Sequence, residues 1–389
     1  MKLLQTNQVV NGDCLKIVKT FPENNIDSII TDPPYHLKSI VERFGKKSSV
    51  PAQYGKDGSF ARLSGGFMGM KWDGGDIAFR PETWAEFLRV AKPGATLMSF
   101  GGTRTFHRIA CAIEDAGWII YDTIMWVYLT GMPKSRDIGK DIDRTLGFER
   151  EVIETRAQGG AKFRATQELI DNGGFNDPSR TEYQVTAPAS DEAKVWDGYG
   201  TGLSPAFEPI IVARKPVDET YAKNALEWGV AGLNIEAGRL NGNWAKNVIL
   251  SEEFANAIGD LSSFFYCPKP SIKEKEAGLK DFAPKKVDPS RLEGNPGGDN
   301  PRNRGVNKRK NTHPSVKPIK LLEYLVKLTK TPTGGIVLDP FAGSGTTGVA
   351  CKMQGRPYIL IDQSEEYCKI AEARIAAYHT AVQASLFDI

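Results

Sequence analysis

The 389-residue sequence predicts an α/β protein whose sheet is mostly parallel and covered by helices on both faces. Two observations support this prediction. Runs of β-branched and apolar residues alternate with segments whose apolar residues recur every three or four positions, which is typical of strand–helix–strand units. Two of the strand-like runs also end in chemically distinctive turns, and parallel sheets bind their ligands at the carboxyl ends of their strands.

Residues 1–35 are predicted to form a strand, a short helix and a second strand. The first strand contains Val9 and Val10, and the second is the β-branched run Ile26–Thr31. Two consecutive prolines cannot continue a central strand. The segment Asp32-Pro33-Pro34-Tyr35 must therefore lie at the carboxyl end of the second strand.

The alternation continues in the middle of the chain. A helix begins near Pro81, because Trp84, Phe87 and Leu88 follow it at helical spacing. The same criteria predict further strands at 96–100, 118–127 and 207–214, and a helix at 103–116.

The C-terminal part repeats the pattern more strongly. A helix follows Pro318, and the apolar runs Gly335–Asp339 and Tyr358–Asp362 are predicted strands. Ser364 is the predicted N-cap of the last helix, since two glutamates follow it in the first turn, where negative charge is stabilising.

Hydrophobic periodicity divides the chain into five segments. Two of them lack a clear period and are predicted to be inserts that form a second, irregular module. The predicted segments are 1–130 (first α/β part), 131–205 (first insert), 206–216 (returning strand), 217–310 (second insert, ending in a basic linker) and 311–389 (second α/β part).

Composition excludes several classes of protein. The chain has 50 Lys and Arg against 47 Asp and Glu, so any affinity for nucleic acid must come from local patches. Its five cysteines are never spaced Cys-x-x-Cys, which argues against a disulfide scaffold and a zinc site, and no metal site is predicted. The longest stretch without a charged residue, Ile375–Phe387, is too short for a membrane span. A soluble, cytoplasmic protein is expected.

The strand ending at Asp339 leads into a glycine-rich turn. Gly343, Gly345 and Gly348 have the G-x-G-x-x-G spacing, which allows a backbone to approach a nucleoside ligand closely. Asp362 ends the next strand, nineteen residues after Gly343, where a carboxylate can accept both hydroxyls of a ribose. These residues alone suit either a nicotinamide cofactor or S-adenosylmethionine.

The segment Asp32-Pro33-Pro34-Tyr35 favours the second cofactor. The Asp32 carboxylate and a nearby backbone carbonyl would accept both hydrogens of an exocyclic amine, whose lone pair is otherwise conjugated into the base. Tyr35 offers a flat ring on which an extruded base could stack. The two segments are far apart in sequence, so the prediction requires that the two strand ends meet in one cleft.

These motifs resemble those of the DNA amino-methyltransferases, which methylate adenine N6 or cytosine N4 with S-adenosylmethionine. Thr31–Tyr35 resembles the catalytic motif of the family, and Asp339–Gly345 resembles its cofactor motif. The catalytic motif comes first, as in the permuted beta class. His313–Pro318 resembles the segment that precedes the cofactor strand, and Gly12–Cys14 resembles the turn that contacts the cofactor adenine.

The resemblance implies a Rossmann-like methyltransferase sheet of seven strands. One antiparallel strand, Phe207–Arg214, would pair near Trp118–Val127 and close the edge. Catalysis would fall to Asp32, Pro33, Pro34 and Tyr35, with Asp362 on the ribose and Lys317 and Thr312 near the methionine carboxylate. The implied cofactor contacts are Asp13, Cys14, Asp32, Thr312, Lys317, Asp339, Phe341, Ala342, Gly343, Ser344, Gly345, Thr346, Asp362 and Gln363.

The implied reaction is direct transfer of the methyl group to the amine. In this family Asp as the first motif residue is more typical of adenine enzymes and Ser of cytosine-N4 enzymes, so adenine N6 is favoured over cytosine N4. No cysteine follows a proline, which disfavours cytosine-C5 chemistry. A nicotinamide-dependent oxidoreductase and a non-catalytic DNA-binding module are the more distant alternatives.

Basic residues predict where double-stranded DNA binds. The run 302–310 holds five cations and no acid, and the loop 36–80 combines cations with aromatic residues, as expected of a lid over an extruded base. The predicted DNA contacts are Lys38, Lys46, Lys47, Arg62, Lys134, Arg136, Arg302, Arg304, Lys308, Arg309 and Lys310. A homodimer, a cognate restriction nuclease, and a bacterial or phage origin are left open.

Overall fold

The computed structural model describes residues 4–35, 76–128, 131, 135–157, 182–251, 264–286 and 308–379. The strands in these ranges are β1 (Gln8–Asn11), β2 (Ile26–Thr31), β3 (Ala91–Phe100), β4 (Ile119–Val127), β5 (Val152–Ala157), β6 (Glu182–Thr186), β7 (Phe207–Arg214), β8 (Val248–Leu250), β9 (Phe265–Tyr266), β10 (Lys285–Lys286), β11 (Lys308–Arg309), β12 (Val337–Asp339) and β13 (Tyr358–Asp362). The α-helices are α1 (Cys14–Val18), α2 (Pro81–Val90), α3 (Phe106–Asp115), α4 (Ile138–Leu146), α5 (Asp191–Val195), α6 (Tyr221–Trp228), α7 (Ile272–Lys275), α8 (Ile319–Leu328), α9 (Thr346–Met353) and α10 (Glu365–Ala376).

A mostly parallel sheet organises the larger part of the chain. Its strand order is β1-β13-β12-β2-β3-β7-β4-β8-β9. The pairs from β1 through β3 are parallel, as are β4 with β8 and β8 with β9, whereas β7 runs antiparallel to β3. The predicted α/β fold with an antiparallel strand in a mostly parallel sheet is thus confirmed.

Two details of the predicted sheet were wrong. In the described residues the sheet has nine strands rather than seven, because the short strands β8 and β9 continue it beyond β4. β7 does not close the edge but lies between β3 and β4. Its burial explains this position: residues 209–213 are all buried, so both faces of the strand are covered.

The core forms where the central strands meet the helices. Every residue of β2 is buried, and on one side of the sheet the α2 residues Trp84 and Phe87 are fully buried. The Trp84 indole donates to the carbonyl of Ala78 (2.9 Å), and the Trp118 indole donates to the carbonyl of Trp84 (3.0 Å), so the polar edges of both large rings are satisfied inside the core. Ser364 caps α10 by accepting the amide of Tyr367 (3.3 Å), as predicted.

The chain divides into two compact units. The larger comprises residues 1–127, 208–270 and 274–389, and the smaller comprises 128–207 and 271–273. The smaller unit contains α4, α5 and the antiparallel pair β5–β6, and the buried Asp143 joins α4 to α5 by accepting the amide (2.9 Å) and hydroxyl (2.7 Å) of Ser190. The five predicted segments, and the assignment of either insert to DNA recognition, stay predictions.

No helix in the described ranges is long and apolar enough to cross a membrane.

Candidate active site

The two distinctive turns lie side by side at one edge of the sheet. Strands β2 and β12 are parallel neighbours, so their carboxyl ends point the same way. The hydroxyl of Thr31 donates to Oδ1 of Asp339 at 2.7 Å, and the hydroxyl of Thr347 donates to Oδ2 at 2.6 Å. The buried Asp339 carboxylate therefore joins the end of β2 to the glycine turn, and the predicted meeting of the two strand ends is present.

Asp32 lies at the centre of a cluster of polar side chains. Its Oδ1 accepts the hydroxyl of Tyr35 at 2.6 Å, and its Oδ2 lies 2.6 Å from Nζ of Lys317. Pro33 and Pro34 are both buried, so the segment between the two polar residues is held inside the protein. Only 21% of the Asp32 side chain is exposed.

Glu208, at the start of β7, completes this cluster and was missed by the sequence analysis. Its Oε1 lies 2.5 Å from the Tyr35 hydroxyl oxygen and 3.0 Å from Nζ of Lys317. Both donors thus contact two carboxylates each. Because β7 runs antiparallel to β3, the first residues of β7 lie beside the carboxyl end of β3. This orientation is the signal that could have revealed Glu208.

The two donors of the cluster keep their protons. Burial, followed by the carboxylates of Asp32 and Glu208, raises the pKa of Tyr35 well above its ordinary value. Burial lowers the pKa of Lys317, but the same two carboxylates more than offset this effect and hold the pKa above its ordinary value. The phenol is therefore a neutral donor and the lysine a cation at neutral pH.

The Tyr35 ring is seated against glycine. A Cβ on Gly102 would lie 3.1 Å from Cδ2 of Tyr35, so the absence of a side chain lets the ring pack close to the backbone that follows β3. Nζ of Lys317 lies 4.9 Å from the centroid of the Phe100 ring. Stacking of a base on Tyr35 stays a prediction.

Gly343 and Gly345 are required in the glycine turn for two reasons: their backbone is left-handed, and neighbouring side chains leave no space for a Cβ. Gly343 and Gly345 have φ values of +50° and +76°. A Cβ on Gly343 would lie 2.6 Å from Nε2 of His313, and one on Gly345 would lie 2.6 Å from Cβ of Ala371. Burial, then the charges of Lys317 and Arg374, lowers the pKa of His313 to about 3, so a neutral imidazole lies against the turn.

Arg374 fixes the other side of this turn and was also missed. It is fully buried, and its Nη1 donates to the carbonyl (2.6 Å) and hydroxyl (3.0 Å) of Ser344 and to the hydroxyl of Thr346 (3.1 Å). Ala342 donates its amide to the carbonyl of Ile361 at 3.0 Å. The turn is thus held by a buried cation and by the end of β13.

Asp362 and Asp13 have the chemistry to hold a nucleoside. The two oxygens of Asp362 accept the amides of Gly343 and Ser364, both at 2.8 Å, and each oxygen keeps capacity for a further hydrogen bond. Burial raises the pKa of Asp362 to about 6. Oδ1 of Asp13 accepts the amide of Lys16 at 3.0 Å and caps α1. The amide of Gly12 donates to the carbonyl of Asp362 at 2.9 Å, which brings the two carboxylate turns together.

The remaining predicted cofactor residues lie around this turn. Phe341 packs edge-on against Phe87 at 6.1 Å, and Gln363 is exposed at the end of β13. Burial, then Asp13, raises the pKa of the Cys14 thiol to about 12. The hydroxyl of Thr312 donates to Glu366 at 3.3 Å. Thr312 and Lys317 thus both contact carboxylates of the protein itself. Their assignment to the methionine carboxylate of the cofactor stays a prediction.

Few of the predicted DNA contacts fall in the described ranges. Residues 36–75 of the predicted lid loop 36–80 lie outside them, and with them Lys38, Lys46, Lys47 and Arg62. Lys134, Arg302 and Arg304 lie outside them as well. Arg136 forms an ion pair with Asp141 at 2.6 Å in the smaller unit. Lys308 and Arg309 form strand β11, which pairs with the Lys285–Lys286 strand β10. This basic ribbon, defined as Lys285, Lys286, Lys308 and Arg309, continues into Lys310, whose amide is held by Glu276 at 3.0 Å.

Known proteins resemble the chain over different lengths. M2.DpnII of Streptococcus pneumoniae, a type II methyltransferase, is 50% identical over 72 residues, 18% of this chain and 26% of that protein. M2.LlaDCHI of Lactococcus lactis subsp. cremoris is 49% identical over 63 residues, 16% of this chain and 23% of that protein. These alignments span about a quarter of either relative. M.HindIII of Haemophilus influenzae, also a type II methyltransferase, is 24% identical over 387 residues, 94% of each chain.

Solved structures are similar to the chain at low identity. They include M1.HpyAVI (17% identity, TM-score 0.42, 95% of this chain and 98% of that one) and the cytosine-N4-specific PvuII DNA methyltransferase (12% identity, TM-score 0.44, 94% and 85%). A family model, described as DNA methylase of the N6/N4 type, matches residues 26–373, which include both strand-end turns and every residue of the Asp32 cluster. The chain therefore belongs to the N6/N4 DNA methylase family.

Proposed function

We propose that the protein transfers a methyl group from S-adenosylmethionine to adenine N6 of an extruded base in DNA. The observation that carries the proposal is the position of Asp32. Its carboxylate stands at the end of β2, beside the strand that opens into the glycine turn. A carboxylate that can hold an amine next to a nucleoside-binding turn is the arrangement that methyl transfer to an amine requires.

The residues of the glycine turn fit the cofactor. When bound, S-adenosylmethionine supplies a methyl group made electrophilic by its sulfonium. Asp362 would accept the ribose hydroxyls through the lone pairs that its backbone contacts leave available. Asp13 and the Cys14 turn would contact the adenine of the cofactor, and the neutral His313 keeps the turn shaped without adding charge.

Asp32 would act on the amine. The lone pair of an exocyclic amine is conjugated into its base, and an N–H bond to a carboxylate favours a nitrogen whose lone pair can attack. As the nitrogen becomes positive, Asp32 stabilises that charge, and one of its oxygens can accept the proton that the nitrogen loses. Holding the amine at a fixed distance from the donor supplies further rate acceleration. Before the amine binds, Tyr35 orients the carboxylate through its 2.6 Å hydrogen bond.

Adenine N6 is proposed as the target over cytosine N4. The support is the Asp at the first position of the Asp32–Tyr35 segment, which in the amino-methyltransferases is more typical of adenine enzymes. Cytosine N4 is the alternative within the same chemistry.

The basic ribbon would contact DNA phosphates. Cytoplasmic localisation, a homodimer and a partner nuclease stay predictions.

Mass spectrometry of nucleosides tests the proposal. DNA from a host that expresses the protein should contain 6-methyladenine absent from the parent strain. Finding 4-methylcytosine instead would overturn the choice of base, and finding neither, with no transfer of labelled methyl to DNA by the purified protein, would overturn the function.

The Asp32→Ala variant tests the assigned role of the carboxylate. We expect the transfer rate to fall by roughly 100-fold or more, because one charge aimed at the reacting nitrogen is lost. Affinity for S-adenosylhomocysteine, measured by calorimetry, should stay within about threefold, since the cofactor residues are unchanged.

Asp27→Asn is the matched control. Asp27 lies in the same strand, is buried and is paired with Lys92 at 2.7 Å, but it stands toward the opposite end of β2. It should lower stability and leave the transfer rate per folded molecule unchanged. Equal loss of cofactor affinity and transfer in folded Asp32→Ala would contradict the role given to Asp32.

A further inference from the structure

The Asp32 cluster contains an acid that the proposed chemistry does not use. We propose that Glu208 is a positioning residue that takes over the Tyr35 hydroxyl and the Lys317 ammonium when the target amine binds, so that Asp32 is released for the amine and the cluster keeps one uncompensated negative charge. This inference rests on the proposed function and names the residue that makes its central carboxylate available.

Each oxygen of Asp32 already accepts from one protein donor. Oδ1 accepts from Tyr35 at 2.6 Å, and Oδ2 is 2.6 Å from Nζ of Lys317. A target amine can use the remaining lone pairs, but it shares the negative charge of Asp32 with these two donors unless they move away. If either donor had no other acceptor, its removal would leave a buried polar group unsatisfied, which costs more than the new hydrogen bond contributes.

Glu208 provides that other acceptor. The Tyr35 hydroxyl lies 2.5 Å from its Oε1 and the Lys317 ammonium lies 3.0 Å from the same atom. The phenol has one proton and therefore donates to only one of the two carboxylates at a time. Its transfer from Asp32 to Glu208 needs only a rotation of the hydroxyl, because both acceptors are already in contact.

The sheet holds Glu208 in this position. Residues Phe100 and Ile210 are register partners of the antiparallel β3–β7 pair, and the amide of Gly101 donates to the carbonyl of Pro209 at 3.0 Å. The backbone next to Glu208 is therefore fixed at the edge where β2 ends. Its side chain is 16% exposed, so little water competes for its oxygens.

Charge balance gives the second part of the role. The cluster combines two carboxylates, Asp32 and Glu208, with one ammonium, Lys317, so its formal net charge is −1. The nitrogen of the amine gains positive charge as it attacks, and the cluster then becomes neutral. With glutamine at position 208, Lys317 would cancel the charge of Asp32. The positive charge on the amine nitrogen would then develop beside a cluster with no net negative charge to stabilise it, in a site of low dielectric constant.

Single-turnover methyl transfer at saturating cofactor tests the inference. We expect Glu208→Gln to lower the rate by roughly 100-fold, with affinity for S-adenosylhomocysteine and for DNA within about threefold of wild type. Glu208→Asp keeps the charge and should recover part of the rate. Asp27→Asn serves again as the control for removing one acid from a buried ion pair of the same sheet.

A double variant separates charge balance from structural support. Glu208→Gln combined with Lys317→Gln restores a net charge of −1 on Asp32 alone, so it should transfer methyl faster than Glu208→Gln by itself. A purely structural role predicts that the second substitution lowers the rate further, and that result would overturn the inference. A Glu208→Gln rate within about threefold of wild type would overturn it as well and would leave the proposed function intact. If wild-type protein transfers no methyl group to DNA, the proposed function is wrong, and the inference that rests on it is wrong as well.

Discussion

Glycine at position 343 is required both by the backbone of the turn and by the proposed cofactor site. Gly343 has φ of +50°, and a Cβ there would lie 2.6 Å from the imidazole of His313. Its amide is also the donor that fixes Oδ2 of Asp362. A side chain at this position would therefore disturb the turn and the proposed ribose acceptor together.

The Gly343→Ala variant should lose both stability and affinity. A left-handed alanine costs roughly 1–2 kcal/mol and the clash with His313 adds about 1–3 kcal/mol to the loss in the free energy of unfolding. We expect urea denaturation to show this loss and calorimetry to show at least about tenfold weaker binding of S-adenosylhomocysteine.

Gly355→Ala is the matched control, because Gly355 has φ of +60° but no atom within 4 Å of its Cβ position. It should lose only the backbone contribution and should bind S-adenosylhomocysteine normally. Equal destabilisation by the two substitutions would show that the His313 ring can move away without loss of stability. That result would contradict the packing argument.

Single residues of the site differ in how far sequence predicts them. Asp32 and Tyr35 could be identified because they stand in one short segment with two prolines between them. Glu208 could not, since its partners Tyr35 and Lys317 are far away in sequence and the antiparallel direction of β7 brings it to them. Arg374 resembled an ordinary charged position of an amphipathic helix, and its burial depends on the turn that it supports.

Among the elements, strands β2 and β12 are joined through one carboxylate. Burial raises the pKa of Asp339 to about 6 against an ordinary 3.8, although the hydrogen bonds from Thr347 and Thr31 lower it. The folded protein therefore binds this proton more tightly than the unfolded chain does. The contribution of Asp339 to stability is largest below pH 3.8, is lost as the pH rises towards about 6, and is constant above that.

The Asp339→Asn variant should remove this dependence on pH. A pKa of about 6 in place of 3.8 corresponds to roughly 3 kcal/mol of unfolding free energy between the two limits. Urea denaturation of both proteins at several pH values from 4 to 7 (about the range in which the group titrates) measures the difference. Curves that run parallel over this range would contradict the assignment of the titration to Asp339.

Elements with a strong hydrophobic pattern were predicted closely, and short ones were not. The last helix was found from its cap at Ser364, and the strand Phe207–Arg214 has the predicted bounds. β8 and β9 have three and two residues, which is too short for a periodic signal, and they are strands because they extend an existing sheet. The helix α2 ends at Val90 and β3 begins at once at Ala91, five residues before the predicted start of this strand at 96.

At the scale of the whole molecule, charge is nearly balanced and its local placement matters. The net charge is +3, yet the basic ribbon puts four cations on two paired strands. Replacing Lys308 and Arg309 with glutamine should weaken DNA binding at every sequence. The slope of log affinity against log salt should become shallower by up to about 2, one for each lost phosphate contact.

Lys223→Gln is the control for this measurement, because Lys223 is an exposed cation on α6 that pairs with Glu219. Fluorescence anisotropy at several salt concentrations would give both slopes. A ribbon variant with the wild-type slope would exclude these two residues from the DNA contact.

The way in which the chain leaves and re-enters the sheet has a consequence for how such proteins diversify. Strands β4 and β7 are neighbours, and the residues that follow one and precede the other are tied by a hydrogen bond from the Tyr128 amide to the Ala206 carbonyl at 2.8 Å. The intervening polypeptide begins and ends at one stem. Its length and sequence can therefore change without moving a strand, so this part of the chain can diverge while the residues at the strand ends stay in place.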